Sequence, residues 1–75
     1  MHGIYAVVKV IKGSGAEPTC LFYKPTDHYS IYDKVMELTD NDHEIASNVA
    51  SWCEIAGVGE VYEFHGGEVE IVEFE

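Results

Sequence analysis

Seventy-five residues with four lysines, no arginine and fourteen acidic side chains give the chain a formal net charge of −10, although 47% of its residues are hydrophobic. This length is too short for two domains, and the apolar content is too high for a disordered acidic tail. The scarcity of cations disfavours direct nucleic-acid binding, and no apolar run approaches the roughly 20 residues needed for membrane insertion. The run from Ile4 to Ile11 lacks the basic lead and the length of a secretion signal, so we expect one small cytoplasmic domain.

The charge is divided unevenly along the chain. Up to Met36 four lysines stand against three acids, a balance of +1, whereas eleven acids and no lysine follow from Glu37 onward, a balance of −11. Such asymmetry concerns solubility and attraction to cationic surfaces, and it does not determine the fold.

Two strands are predicted at the start of the chain. Residues 4–11 are rich in β-branched side chains, and both faces of this strand are largely apolar, so we expect it inside the sheet. Residues 19–24 form a second strand that ends at Pro25. The turn-forming stretch 12–18 connects the two strands as a long hairpin.

Residues 25–40 are compatible with a short helix or a loop. Ser30, with an acid three residues later, resembles an N-cap and favours a short helical turn. Alternatively, Tyr29, Ile31 and Val35 lie as an irregular lid over the second apolar face of the first strand.

The main helix is predicted over residues 42–56. Asn41, with Glu44 three residues later, forms a capping arrangement. The apolar side chains fall mostly in one arc about 160° wide, so this helix is expected to cover a sheet. Gly57 supplies the left-handed residue that commonly ends a helix.

Two further strands, at 60–65 and 68–74, flank Gly66 and Gly67, which is a strong signal for a tight hairpin. The element order is strand, strand, short helix or loop, helix, strand, strand. This order predicts the α+β class: residues 1–75 form a single domain in which a four-stranded antiparallel sheet of two hairpins packs against one main helix.

With the two glycines as the turn, Glu63 faces Glu70 across the last hairpin and Glu60 faces Glu73. Like charges in facing positions destabilise a sheet by up to about 1 kcal/mol, so stability alone does not favour this arrangement.

These carboxylates have three interpretations. They are a solvated face that keeps an apolar chain soluble, or a docking surface for a basic protein, or, beside His65, a site for a divalent cation. Side chains on flat strands converge poorly on an ion, and the sequence has no EF-hand loop. We therefore predict no metal and no cofactor.

Our leading hypothesis is a protein-binding module that uses an acidic surface. The hairpin and the start of the main helix supply its residues, which are Glu60, Glu63, Glu68, Glu70, Glu73, Asp40, Asp42 and Glu44. One concrete form is an inhibitor that occupies the nucleic-acid-binding groove of its partner, with carboxylates in place of phosphates, as phage, anti-defence and antitoxin-like proteins do. The alternative is an assembly protein that homodimerises through the second apolar sheet face, formed by Tyr5, Val7 and Ile11.

No motif indicates catalysis. Ser14 lies between glycines in a predicted hairpin connection with no following helix, and the four histidines have no metal-ligand spacing. Cys20 and Cys53 are interpreted as reduced, buried core residues. We expect a protein without enzymatic activity.

Overall fold

The computed structural model describes residues 2–11 and 19–75. The described elements are, in chain order, β1 (Gly3–Val10), β2 (Thr19–Tyr23), α1 (His28–Leu38), α2 (His43–Ile55), β3 (Val61–Phe64) and β4 (Gly67–Phe74). The strands form one antiparallel sheet in the order β2-β1-β4-β3. This confirms the α+β class and its four-stranded antiparallel sheet, with a second helix where a short helix or loop was expected. The turn predicted at 12–18, which includes Ser14, lies outside the described residues.

The core lies between the two helices and one face of the sheet. Alternate side chains of a strand point to opposite faces, so Ala6 and Val8 of β1 share a face with Val69 and Ile71 of β4. These four side chains are buried. The helices contribute the other buried apolar residues, Ile31, Val35, Leu38, Ala46, Val49, Ala50 and Cys53. The interior position of β1 agrees with its two apolar faces.

α1 is a full helix of 11 residues and begins before Ser30. Its N-cap is Asp27, whose side chain accepts a hydrogen bond from the Ser30 N–H at 3.4 Å. Ile31 and Val35 are fully buried in the core shared with α2, so the predicted lid over the other face of β1 is wrong. Ile31, Val35 and Leu38 have the spacing of one helix face. The prediction took Ser30 as the N-cap, and the segment that remains after Ser30 is too short for this spacing to indicate a full helix.

α2 begins at His43, one residue later than predicted. Asp42, and not Asn41, is the N-cap, because its Oδ1 accepts a hydrogen bond from the Ile45 N–H at 3.1 Å. Asp40 and Asn41 instead have left-handed backbones, with φ of 55° and 68°. Aspartate and asparagine tolerate this region better than other side chains, and the pair makes the sharp link between the helices.

The end of α2 also differs from the prediction. Ala56 is the C-cap in an extended conformation, with φ of −71° and ψ of 145°, and Gly57 is outside the left-handed region. Gly59 has the positive φ, 94°. The helix therefore ends by extension of the chain, and the left-handed turn comes two residues after Gly57.

The β3–β4 register lies two residues from the predicted one. Glu63 faces Glu68 and Val61 faces Glu70, so the predicted pairs Glu63–Glu70 and Glu60–Glu73 are wrong. A shift of two residues leaves every side chain on its original face.

Gly67 explains the change of register. It belongs to β4 and is buried. A Cβ at this position would lie 2.5 Å from the carbonyl oxygen of Lys9 and 3.3 Å from the ring of Phe64. Gly66, with φ of 104°, supplies the positive φ of the turn. The second glycine therefore allows β1 and β4 to approach closely, and it is not a turn residue.

Candidate functional site

One face of the sheet is uncovered by the described elements. Both helices pack on the opposite face, and no helix or strand within residues 2–11 and 19–75 covers this one. We call it the open face. It carries the outward side chains of all four strands, which are Tyr5, Val7, Lys9, Cys20, Phe22, Val61, Glu63, Glu68, Glu70, Val72 and Phe74.

An aromatic cluster occupies one half of the open face. The ring of Phe74 lies 5.7 Å from that of Tyr5 and 5.8 Å from that of Phe22, in edge-on and tilted arrangements that favour contact between rings. Val7 lies on this half and is only 5% exposed, whereas Phe22 is 46% exposed. The ammonium of Lys24 lies 4.5 Å above the Tyr5 ring, within the range of a cation–π interaction.

The other half of the open face carries three glutamates. Lys9 Nζ donates a hydrogen bond to Glu70 Oε1 at 2.8 Å, and this bond is the main reason why the pKa of Lys9 is raised above its ordinary value. The charges of Glu70 and Glu68 add to the effect. Glu63 and Glu68 face each other across β3 and β4, and neither forms an ion pair with a described residue.

Of the eight acidic residues predicted to form one surface, these three lie together on the open face. Asp40, Asp42 and Glu44 belong to the helical layer on the opposite side of the sheet. Asp42 caps α2, and Glu44 lies in its first turn, where a negative charge stabilises the helix dipole.

The remaining two acids lie elsewhere. The Glu60 carboxylate accepts a hydrogen bond from the Gly57 N–H and closes the link between α2 and β3. Glu73 pairs with Ile4 and shares the helix-covered face with Ile71. Neither side chain extends the acidic group of the open face.

The two cysteines have different environments. Cys53 is 1% exposed, as predicted, and burial raises the pKa of its thiol to about 11. Cys20 is exposed on the open face beside Lys9, so its prediction as a core residue is wrong. Alternation along β2 explains the difference, because Leu21 and Tyr23 take the core side.

A second polar cluster joins the helices. The Tyr32 hydroxyl is hydrogen-bonded to His43 Nδ1, and the ring of His28 stacks on that of Tyr32 with centroids 6.4 Å apart. His28 Nδ1 lies 3.6 Å from a Glu54 carboxylate oxygen. The described residues contain no group of three or more His, Cys, Asp or Glu that could hold a metal ion. Because Tyr32 and His28 belong to α1 and their partners belong to α2, this cluster connects the two helices.

Comparison with protein-family models, curated proteins and solved structures gave no match. Among the described residues there is no pocket, and no helix has the length and apolarity required to cross a bilayer.

Phe22 and Phe74 are the open-face residues that the sequence interpretation missed. The signal that could have found them is the second face of β1. Because Tyr5 and Val7 are apolar on that face, the strands on either side of β1 are expected to place apolar residues next to them. The register supplies Phe22 opposite Val7 and Phe74 opposite Gly3.

Proposed function

We propose that this protein is a non-enzymatic binding module that docks a cationic protein on its open face. The observation that carries the proposal is the placement of an aromatic cluster beside Glu63 and Glu68, which have no ion-pair partner among the described residues, on a sheet face that the described elements leave uncovered. Aromatic side chains supply much of the binding energy at protein interfaces, and charges at the rim select the partner and accelerate association.

The facing pair Glu63 and Glu68 defines the charge of the partner. Two carboxylates opposite each other repel, so an incoming ammonium or guanidinium group gains from both and relieves their repulsion. A guanidinium group is the better match because its fork of donors fits carboxylates. The net charge of −10 attracts such a partner at long range.

A specific form of this function is inhibition of a nucleic-acid-binding protein. The carboxylates take the places of phosphates in the partner's groove, while Phe22 and its neighbours add apolar contact. The cytoplasm is the proposed location, because Cys20 and Cys53 are both free thiols.

The first experiment identifies the partner by capture from the native cell at low salt, followed by measurement of the dissociation constant with the purified partner. We expect E63Q/E68Q/E70Q to weaken the complex at least about tenfold and to flatten its dependence on salt. The matched control is the triple variant D33N/E44Q/E73Q, which removes the same charge from exposed positions away from the open face. Equal weakening by both triple variants contradicts the proposal, because net charge alone would then explain binding.

The aromatic cluster is tested in the same assay. F22A should weaken the complex at least about tenfold, as truncation of an aromatic anchor does. Y29A is the control, because Tyr29 is 83% exposed and lies on α1. Duplex DNA or RNA that competes for the partner supports the inhibitor form, and absence of competition excludes it.

The second candidate function is assembly through the same face by two copies of this chain. The exposed apolar side chains of the open face favour it, since Phe22 and Val61 are each 46% exposed. Such a dimer would be weakened by added charge at either rim of the open face, whether at Cys20 or at Val61.

A further inference from the structure

The two edge strands of the sheet differ in charge. β2 forms one edge, and its five residues, Thr19–Tyr23, contain no charged side chain. β3 forms the other edge and carries Glu63, with Glu60 immediately before it. Charged side chains commonly prevent an edge strand from pairing with another chain. β3 therefore has a charged residue within the strand, whereas β2 has none and is only followed by Lys24.

We propose that β2 pairs antiparallel with β2 of a second copy, so that two sheets join into one of eight strands. An antiparallel pair of identical strands is symmetric about a two-fold axis, which makes the contact closed and self-complementary. Full overlap places Leu21 opposite its equivalent, and Cys20 opposite Phe22 of the second copy. This contact uses the backbone edge of β2, which differs from the open face, although both surfaces include Phe22.

The placement of charge selects a second copy at this edge. On the open face Lys9 and Lys24 lie near β1 and β2, whereas the glutamates lie on β3 and β4. Five strand intervals separate the two β4 strands in the joined sheet, about 24 Å at about 4.8 Å each, which exceeds the Debye length of about 8 Å in physiological salt. Two strongly acidic chains can therefore associate at β2 with little repulsion between their hairpins. Pairing at β3 in the register centred on Glu63 would place glutamates of the two copies within about 5 Å of each other.

The contact also covers exposed apolar surface. Phe22 is 46% exposed on the edge strand, and in the joined sheet its ring lies beside Cys20 of the second copy. The two aromatic clusters then become neighbours across the two-fold axis. Burial of this ring adds to the backbone hydrogen bonds that β2 gains.

Sedimentation equilibrium of the purified chain tests the association directly. Under reducing conditions, between about 5 µM and about 1 mM, the mass should rise from the 8.4 kDa of one chain to twice that value. A mass of one chain at the highest concentration overturns the proposal.

The location of the contact is tested with C20E and its matched control V61E. Each adds one negative charge on the open face, at opposite edges of the sheet. In C20E each added carboxylate would lie against Phe22 of the other copy and diagonally from its own equivalent, which should raise the dimer dissociation constant at least about tenfold, whereas V61E should change it less than about threefold. If C20E and V61E weaken the dimer equally, the contact lies on the open face. If C20E does not weaken the dimer, the contact lies elsewhere. Both results overturn the proposal. If C20E lacks the circular dichroism of the folded chain, T19E replaces it, because Thr19 is also exposed on β2.

Discussion

Replacement of Glu63 by glutamine should stabilise the fold. Glu63 is exposed on the edge strand β3, and Glu68 faces it directly. Two carboxylates about 6 Å apart repel by about 0.7 kcal/mol in water. Screening reduces this to about 0.5 kcal/mol at 0.01 M salt and to about 0.1 kcal/mol at 1 M. We therefore expect E63Q to raise the free energy of unfolding by about 0.5 kcal/mol at low salt, or the melting temperature by about 2–4 °C.

The neighbours of the pair make the effect asymmetric. Lys9 lies on β1, where it faces Glu68 of β4 and is two strands away from Glu63. The charge of Glu68 contributes to the raised pKa of Lys9. E68Q loses this attraction together with the repulsion, so its stability should remain near that of the parent chain. The double variant E63Q/E68Q should be no more stable than E63Q alone.

Urea unfolding at the two salt concentrations measures these differences. E73Q is the control for net charge, because Glu73 is exposed and faces Ile4 across the strands instead of an acid. The reasoning is refuted if E63Q destabilises the chain, if its gain is unchanged at 1 M salt, or if E73Q gives the same gain.

Three further predictions concern stability. G67A should lower the free energy of unfolding by about 1–3 kcal/mol, because its Cβ would lie 2.5 Å from the Lys9 carbonyl oxygen. G57A should be almost neutral, because the nearest contact of its Cβ is at 3.4 Å, and thermal unfolding compares the two variants. D42A should lose about 1 kcal/mol with the α2 cap but bind the partner unchanged, as titration calorimetry would show. The raised pKa of Cys53, about 11 against 9.0, should cause stability to fall by up to about 2.7 kcal/mol as pH rises through this interval, because the unfolded thiol loses its proton first.

The contrary outcomes are equally specific. Equal destabilisation by the two glycine variants would remove the close approach of β1 and β4 as the cause. Loss of partner binding in D42A would return the start of α2 to the binding surface. The alkaline loss should be smaller in C53A when unfolding is measured at several pH values, because the raised pKa of Lys9 also causes some loss of stability at alkaline pH. An identical loss in that variant would assign the whole effect to other groups.

Local sequence patterns were sufficient to predict most of the secondary structure. β-branched runs predicted the strands, and the apolar arc predicted α2, because these signals arise from neighbours in the chain. α1 was underestimated because its cap, Asp27, lies in a stretch that resembles a loop after Pro25. Helix starts depend on one side chain that bonds to one N–H, and several nearby residues can supply it.

Long-range packing decided the details that the sequence did not reveal. The position of Gly67 against the Lys9 carbonyl depends on the pairing of β1 with β4, whose residues lie at opposite ends of the chain. The predicted acidic surface also failed because of long-range packing. The eight acids lie in one region of the sequence, but the fold places them on two sides of the sheet. Glu63, Glu68 and Glu70 lie on one face in the predicted and in the observed register alike, because the face of a strand residue depends only on parity.

The central pairing of β1 with β4 has a consequence for the order of folding. Each hairpin can close locally, but the sheet becomes continuous only when Gly3 reaches Phe74 and their neighbours align. Such contacts between distant parts of a sequence require the closure of a long loop and slow the rate-limiting step. The two hairpins therefore join into one sheet late in folding. A chain that lacks β4 would lose a central strand of the sheet and not an edge strand.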